Sequence, residues 1–327
     1  MIRLDECFKL VVGATAPAER QQASLLRTFF RQSVSRRCAG GPLVQQVNLP
    51  ATVPEPLPEP AMALALAPLL PRDNLIVFDA ESLIERAGFA AYALLTPASL
   101  EAFLHPKSGS AGQRLARLLA LEGGLRACRA VVAFDVAQAR ALATLGARTV
   151  HLLPLPALAR PATGPTPRGG VLLVAHDVPD EAATSIAALV RAAGPDLRIT
   201  LVAGRHWNAL SATVLDDAAN AELHIHVGLA REPPPSLRII DSFAARKPVI
   251  HVCDRTPPET GDAIARLQMS VEPFQSGFIA RTPAEMVSAV QHVRGDPAMV
   301  DIFSRNMDQT VAVYNADIER RLWEALV

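Results

Sequence analysis

The chain has no excess of charge. Its 327 residues carry 32 Lys and Arg against 32 Asp and Glu, so no basic field marks it for DNA or RNA. Long apolar runs are missing too. Half of the residues are hydrophobic, yet no segment approaches the roughly 20 uninterrupted apolar residues that a membrane helix needs. Cysteine is sparse: Cys7, Cys38, Cys128 and Cys253 stand far apart with no Cys-x-x-Cys pair. That spacing argues against a zinc or disulfide framework and for free thiols in a reducing compartment. The opening MIRLDECFKLVVGATAPA sets Asp5, Glu6 and Lys9 where a secretory signal would need an apolar block, so the expectation is a cytoplasmic protein, with peripheral contact at the inner face of a membrane left open. There is no repeat of fixed period. No Gly-x-Ser-x-Gly, P-loop or Gly-x-Gly-x-x-Gly fingerprint occurs, which leaves hydrolase, nucleotidase and dehydrogenase readings without support.

What the chain does have is a regular alternation in its second half. From Gly170 onward the apolar runs VLLVA, RITLVA, LHIHV and PVIHV are separated by stretches of helical character. Short apolar runs with helices between them predict a parallel sheet covered on both faces. Before them lies PLPALARPATGPTPRGG, residues 154–170, whose prolines and glycines cannot continue a helix or a central strand. The length is generous for one core and comfortable for two. We therefore expect an α/β protein with an N-terminal domain over 1–157, a Pro/Gly linker over 158–170 and a C-terminal domain over 171–327 ending in a helix. A second proline-rich stretch over 49–73 sets residues 1–72 apart as atypical.

The stretch REPPPSLRIIDSFAARKPVIHVCD, residues 231–254, has the order loop, helix, turn, buried strand. Such a unit can hold an anionic ligand at a strand's carboxyl end. The run Asp241-Ser242-Phe243-Ala244-Ala245-Arg246-Lys247-Pro248-Val249-Ile250 resembles the second half of the donor motif of group 1 (family 4) retaining glycosyltransferases. Three further fragments follow that family's order: Ile199 to Gly204, Asn220 to Val227, and Gln275 to Met286. The front half is similar at Asn74 to Leu83, Arg126 to Arg140 and Gly146 to Pro156. The resemblance covers about residues 73–325. It implies a GT-B architecture of two Rossmann-like domains, parallel sheets flanked by helices, with an acceptor-side first domain and a donor-side second one.

The same resemblance implies transfer of a sugar from a nucleotide-sugar donor, with retention, to a saccharide, lipid-linked or protein acceptor, with no metal and no other cofactor. It puts Glu232 near the reacting sugar and Asp241 on the ribose hydroxyls. Glu232 precedes Asp241 by nine positions where the family has eight. Pro233-Pro234-Pro235 replaces a Gly-Phe-Gly loop, removing three N–H donors that could meet a phosphate. Ser236 and the N–H groups of Leu237 and Arg238 are the expected remaining donors. The Arg and Lys that the family uses against the diphosphate are absent from 174–181, where His176 could donate but Asp177, Asp180 and Glu181 would repel. Arg205, beside Gly204, and Arg231 are the expected substitutes. Asp79 and Glu81 sit where the first domain would approach an acceptor, each able to serve as base or orienting group. His224 and His226, two apart on a strand, should face one way; with His206 or His251 they lack a fixed third ligand, and no metal site is expected. The altered motif also fits a catalytically inactive GT-B-like protein that binds a ligand or a protein partner.

Overall fold

The alternation of apolar runs resolves, in a computed structural model, into two parallel β-sheets. The structure describes residues 9–12, 29, 32–33, 47–48, 75–78, 92–94, 110–157, 169–176, 178–203, 212–228, 237–253 and 276–326. Of the sequence-derived site residues, Asp79, Glu81, Gly204, Arg205, Arg231, Glu232 and Ser236 lie outside this set, as do Asp177 and His206. The chain divides into two units, one of residues 1–155 with 318–327 and the other of residues 156–317.

In the first unit the sheet order is β2-β1-β3-β4-β5-β6, with β1 Lys9–Val12, β2 Val47–Asn48, β3 Leu75–Phe78, β4 Tyr92–Leu94, β5 Ala130–Ala133 and β6 Val150–Leu152. Every pairing is parallel. Helix α1, Ala111–Ala127, starts at a capping box in which Gln113 N–H donates to Ser110 Oγ and Ser110 N–H to Gln113 Oε1. This pairing satisfies two of the orphan donors of the first turn. Helix α2, Val136–Thr144, is capped by Asp135, whose Oδ1 accepts from Gln138 N–H at 2.6 Å. Trp323 Nε1 donates to Ser33 Oγ at 3.0 Å in the same unit.

The second unit has the order β11-β10-β9-β7-β8, built from β7 Gly170–Ala175, β8 Arg198–Val202, β9 Leu223–Val227, β10 Val249–Val252 and β11 Gly277–Ala280. Between them run α3 Asp180–Ala193, α4 Ala212–Asn220, α5 Ile239–Ala244 and α6 Pro283–Gly295, followed by α7 Pro297–Leu326. Helix α7 places Phe303, Met307 and Tyr314 in the core of this unit, and its residues from Ile318 group with the first unit.

Strand alternation gives the second sheet two unlike faces. One is wholly apolar: Val171, Leu173, Leu223, Ile225, Val227 and Ile250 pack on Ala187 and Val190 of α3 and on Met286, Ala289, Val290 and Val293 of α6. The other carries a smaller apolar cluster of Leu172, Val174 and Val202 against Ala218 and Ala221, with Val214 and Leu237 beside it. On this second face, register sets His226 between Val174 of β7 and His251 of β10. The expected same-sided placement of His224 and His226 follows from that alternation.

Two glycines are required by close backbone approach. Gly169, which opens β7, has φ +80, and a Cβ there would lie 2.7 Å from the Asp196 carbonyl oxygen. Gly228, just after β9, has φ +82, and a Cβ would collide with the His176 carbonyl oxygen and lie 2.6 Å from Val178 Cγ2. Backbone cannot swing aside as a side chain can. Gly228→Ala should therefore lower the stability of the second unit by roughly 2–3 kcal/mol, read as a shift of the urea midpoint at unchanged slope.

Candidate functional site

In the second sheet β7 leads outward to β8 on one side, while the chain returns to lay β9 on the other. The strand order reverses between β7 and β9, and the carboxyl ends of such a pair form the usual ligand crevice of an open parallel sheet. His176 follows β7 and Gly228 follows β9. The two ends are joined by His176 N–H, which donates to Val227 O at 2.8 Å, and Gly228 N–H ties the end of β9 to Val252 O of β10 at 2.8 Å. Leu237, the residue that opens the described chain after the 229–236 loop, has φ 55. A branched residue in this left-handed conformation is strained. The helix expected from Leu237 consequently begins at Ile239, with Arg238 extended at its N-cap.

Beneath the crevice lies a chain of buried imidazoles. His176 Nε2 is 2.9 Å from His226 Nδ1, with the two rings stacked at 5.3 Å. His226 Nε2 is 2.9 Å from Ser242 Oγ, which is 2.8 Å from His224 Nδ1. His224 Nε2 is 2.9 Å from the Ala218 carbonyl oxygen. Alongside, His251 Nε2 donates to Gly228 O at 2.9 Å, and its Nδ1 is buried with no hydrogen-bond partner among the described residues. Burial pushes the His224 pKa down to about 4, an effect that Lys247 reinforces and the Ala218 carbonyl opposes. Burial, and then the neighbouring His176, His224 and His251, holds His226 well below the ordinary value, and burial lowers His251 as well. These rings are neutral in the folded protein. Among the described residues no group of three or more His, Cys, Asp and Glu is arranged to hold a metal ion.

Asp241 is placed differently from a ribose-facing carboxylate. Its Oδ2 accepts from Arg238 N–H at 3.0 Å and Arg238 Nε–H at 2.9 Å, and its Oδ1 accepts from Arg238 Nη2–H at 2.6 Å. This is a bidentate fork closed by a helix cap. The Arg238 N–H expected to face a phosphate is thus spent on Asp241. The guanidinium is 2% exposed. It also donates to Pro156 O at 2.6 Å, and its Nη1 lies 3.4 Å from Tyr314 Oη. Burial pulls its pKa down, but the charge of Asp241, together with Tyr314 and the hydrogen bonds to both, more than offsets burial and holds the pKa above the ordinary arginine value. Ala157 is held in the same region: its N–H donates to Asn315 Oδ1 at 2.8 Å and its carbonyl accepts from Asn315 Nδ2–H at 3.2 Å.

Of the residues singled out in the sequence, His176, Leu237 and Asp241 are described, and two of them have local duties. The Nε2 of His176 that could have met a phosphate faces His226 Nδ1 instead. Helix α3 begins with Asp180 and Glu181 in its first turn, so its positive end is already met by its own carboxylates. Sequence reasoning gave Ser242 no role and read Arg238 for its backbone N–H alone, and it placed His251 in a metal question instead of beside His226. The parity of positions 224, 226 and 251 on paired strands was the signal that could have joined them.

No protein-family model matches the chain, and no curated protein does. Solved structures resemble it at low identity. TarM of S. aureus, in a structure with fondaparinux, α-GlcNAc-glycerol and UDP, is 10% identical with a TM-score of 0.38, covering 81% of this chain and 53% of its own. The O-GlcNAc transferase of Thermobaculum terrenum is 11% identical with a TM-score of 0.41, covering 99% of this chain and 67% of its own. The α,α-trehalose 6-phosphate synthase of Burkholderia multivorans is 10% identical with a TM-score of 0.41, covering 98% of this chain and all of its own at 100%. This chain thus spans about half the length of the TarM chain. Similarity at this level assigns no activity.

Two outcomes follow from the buried groups. The histidines have folded pKa values below the ordinary 6.5, so the unfolded chain binds more protons as pH falls, and the stability they contribute is complete above 6.5 and lost below it. For His224 alone, a fall from 6.5 to about 4 corresponds to about 3 kcal/mol, lost between those two pH values. Urea denaturation at pH 7 and at pH 5 should show this loss, and a His224→Asn variant should show less of it. Separately, Arg238→Met removes the guanidinium from the Asp241 carboxylate and the Pro156 carbonyl, leaving Asp241 the backbone N–H of residue 238, and should cost about 3–5 kcal/mol, measured as a lowered urea midpoint at pH 7.

Proposed function

We propose that this chain is a glycosyltransferase of GT-B type, resembling the group 1 retaining family, that moves a sugar from a nucleotide-sugar donor to a saccharide, lipid-linked or protein acceptor. The observation that carries this reading is where the motif falls. The stretch Asp241 to Ile250 that resembles the donor motif forms α5, its turn and β10, next to the β7/β9 switch point, where an open parallel sheet binds ligands. In this reading residues 1–157 form the acceptor side and residues 171–327 the donor side. Glu232 stabilises the reacting sugar, Arg205 and Arg231 offset the diphosphate charge, and Asp79 or Glu81 serves the acceptor. Gly204, Ser236 and the Leu237 N–H complete the donor contacts without a metal. The setting is cytoplasmic, with a lipid-linked acceptor drawing the protein to the inner membrane face. Among the described residues no helix is long and apolar enough to cross a membrane.

A second reading has a specific observation behind it. Asp241 is engaged by Arg238, and His176 Nε2 faces His226 Nδ1. The two described side chains that should greet a nucleotide diphosphate therefore serve the fold, as suits a protein of this architecture that binds a partner and catalyses nothing.

Thermal unfolding against UDP-, GDP-, ADP- and dTDP-sugars separates the two. A donor present at about a hundred times its Kd adds about 2.7 kcal/mol to stability, or about 5–10 °C for a domain of this size, and the nucleotide that shifts the transition names the base. No shift with any of them near a millimolar, roughly the upper range of ordinary KM values, would leave the partner-binding reading. Where a donor binds, Glu232→Gln should abolish transfer with the fold intact, and unchanged turnover would remove Glu232 from the mechanism.

A further inference from the structure

The imidazole chain under the crevice has a direction that its contacts alone dictate. A carbonyl oxygen only accepts, so His224 Nε2, 2.9 Å from Ala218 O, carries the proton. A neutral imidazole has one N–H, which leaves His224 Nδ1 as an acceptor that must receive the hydroxyl proton of Ser242 at 2.8 Å. The competing acceptor for that proton, Arg238 O, is farther at 3.4 Å. With its proton given away, Ser242 Oγ accepts from His226 Nε2–H at 2.9 Å. His226 Nδ1 is then an acceptor, and the proton in the 2.9 Å contact belongs to His176 Nε2. No link can be reversed alone without setting two donors or two lone pairs against each other.

We propose that Ser242 is a positioning residue, the hub of a one-way hydrogen-bond relay that fixes His176 as its Nε2–H tautomer at the β7/β9 switch point. The relay starts at the carboxyl end of α4, passes through α5 and β9, and ends at β7. A neutral His176 held in this tautomer carries its lone pair on Nδ1. Removing the Ser242 oxygen removes the acceptor that fixes His226. That ring can then turn its proton to Nδ1, and His176 must take the opposite tautomer. The inference rests on the hydrogen bonds of the second unit and does not depend on the glycosyltransferase reading.

Nitrogen NMR of histidine-labelled full chain tests it at pH 7, with single substitutions to assign the rings and exposed His292 as an internal reference. In the unaltered protein, His176, His224 and His226 should each show one protonated nitrogen, Nε2, and one unprotonated nitrogen, Nδ1. In Ser242→Ala the His176 and His226 signals should become averaged or reversed, and Ser242→Thr, which keeps the hydroxyl, should restore them. A mixed or Nδ1–H tautomer at His176 in the unaltered chain overturns the proposal. So does a single Nε2–H tautomer that survives in folded Ser242→Ala. Where that variant fails to fold, the unaltered spectrum and Ser242→Thr still decide the direction of the relay.

Discussion

A parallel sheet covered on both faces has no water to offer a polar side chain, and the second sheet of this protein carries four imidazoles on one of those faces. His176, His224, His226 and His251 are all buried. Each can stay there only if it is neutral and if its N–H finds an acceptor, since an unpaired buried polar group costs about 1–3 kcal/mol and a buried charge more. The sheet meets this demand with few parts. One serine hydroxyl joins two rings, one carbonyl at the end of α4 closes the chain, and the carbonyl of Gly228 takes the proton of His251. The opposite face needs none of this and is packed with aliphatic side chains. Placement of α4 and α5 over the histidine face is therefore fixed by hydrogen-bond geometry as well as by apolar contact.

The second constraint is the Arg238–Asp241 pair. A guanidinium removed from water this completely is tolerated because Asp241 grips it at two points and the Pro156 carbonyl takes a further donor. The consequence reaches from α5 to α7 and to the start of the proline-rich segment within the same unit. It also changes the meaning of the carboxylate. The same position that resembles a ribose-binding acid is here an N3 cap and ion-pair partner, and a diol approaching it would compete with an intramolecular fork that is already assembled.

The architecture was legible because it depends on periodicity. The apolar runs that predicted strands in the second half are β7, β8, β9 and β10, and the stretch of helical character between the first two is α3. The start of α5 was misread by two residues, since nothing in the string Ser236-Leu237-Arg238 announces a leucine in left-handed backbone. The site was less legible for a different reason. Asp241, His176 and Arg238 are the right kinds of residue for a phosphate or ribose, but whether such a group faces a ligand or a neighbour depends on contacts between strands and helices far apart in sequence. Ser242 looked like one more small residue in an apolar helix, and only its position between two strand histidines gives it a role.

These placements bear on how the proposed nucleotide-sugar donor would be held. The described rim of the crevice offers imidazole and backbone, and α3 presents its own carboxylates. The segments that follow β8 and β9, the strands flanking β7 in the sheet order, carry the candidate cations. Arg205 stands only a few residues beyond the end of β8, and Arg231 only a few beyond the end of β9. In sequence the two candidate cations follow the two strands paired with β7. A diphosphate bridging them would be neutralised by arginine forks, not by the helix N-terminus that open α/β sheets commonly use, and its affinity would weaken with salt as exposed charge contacts do.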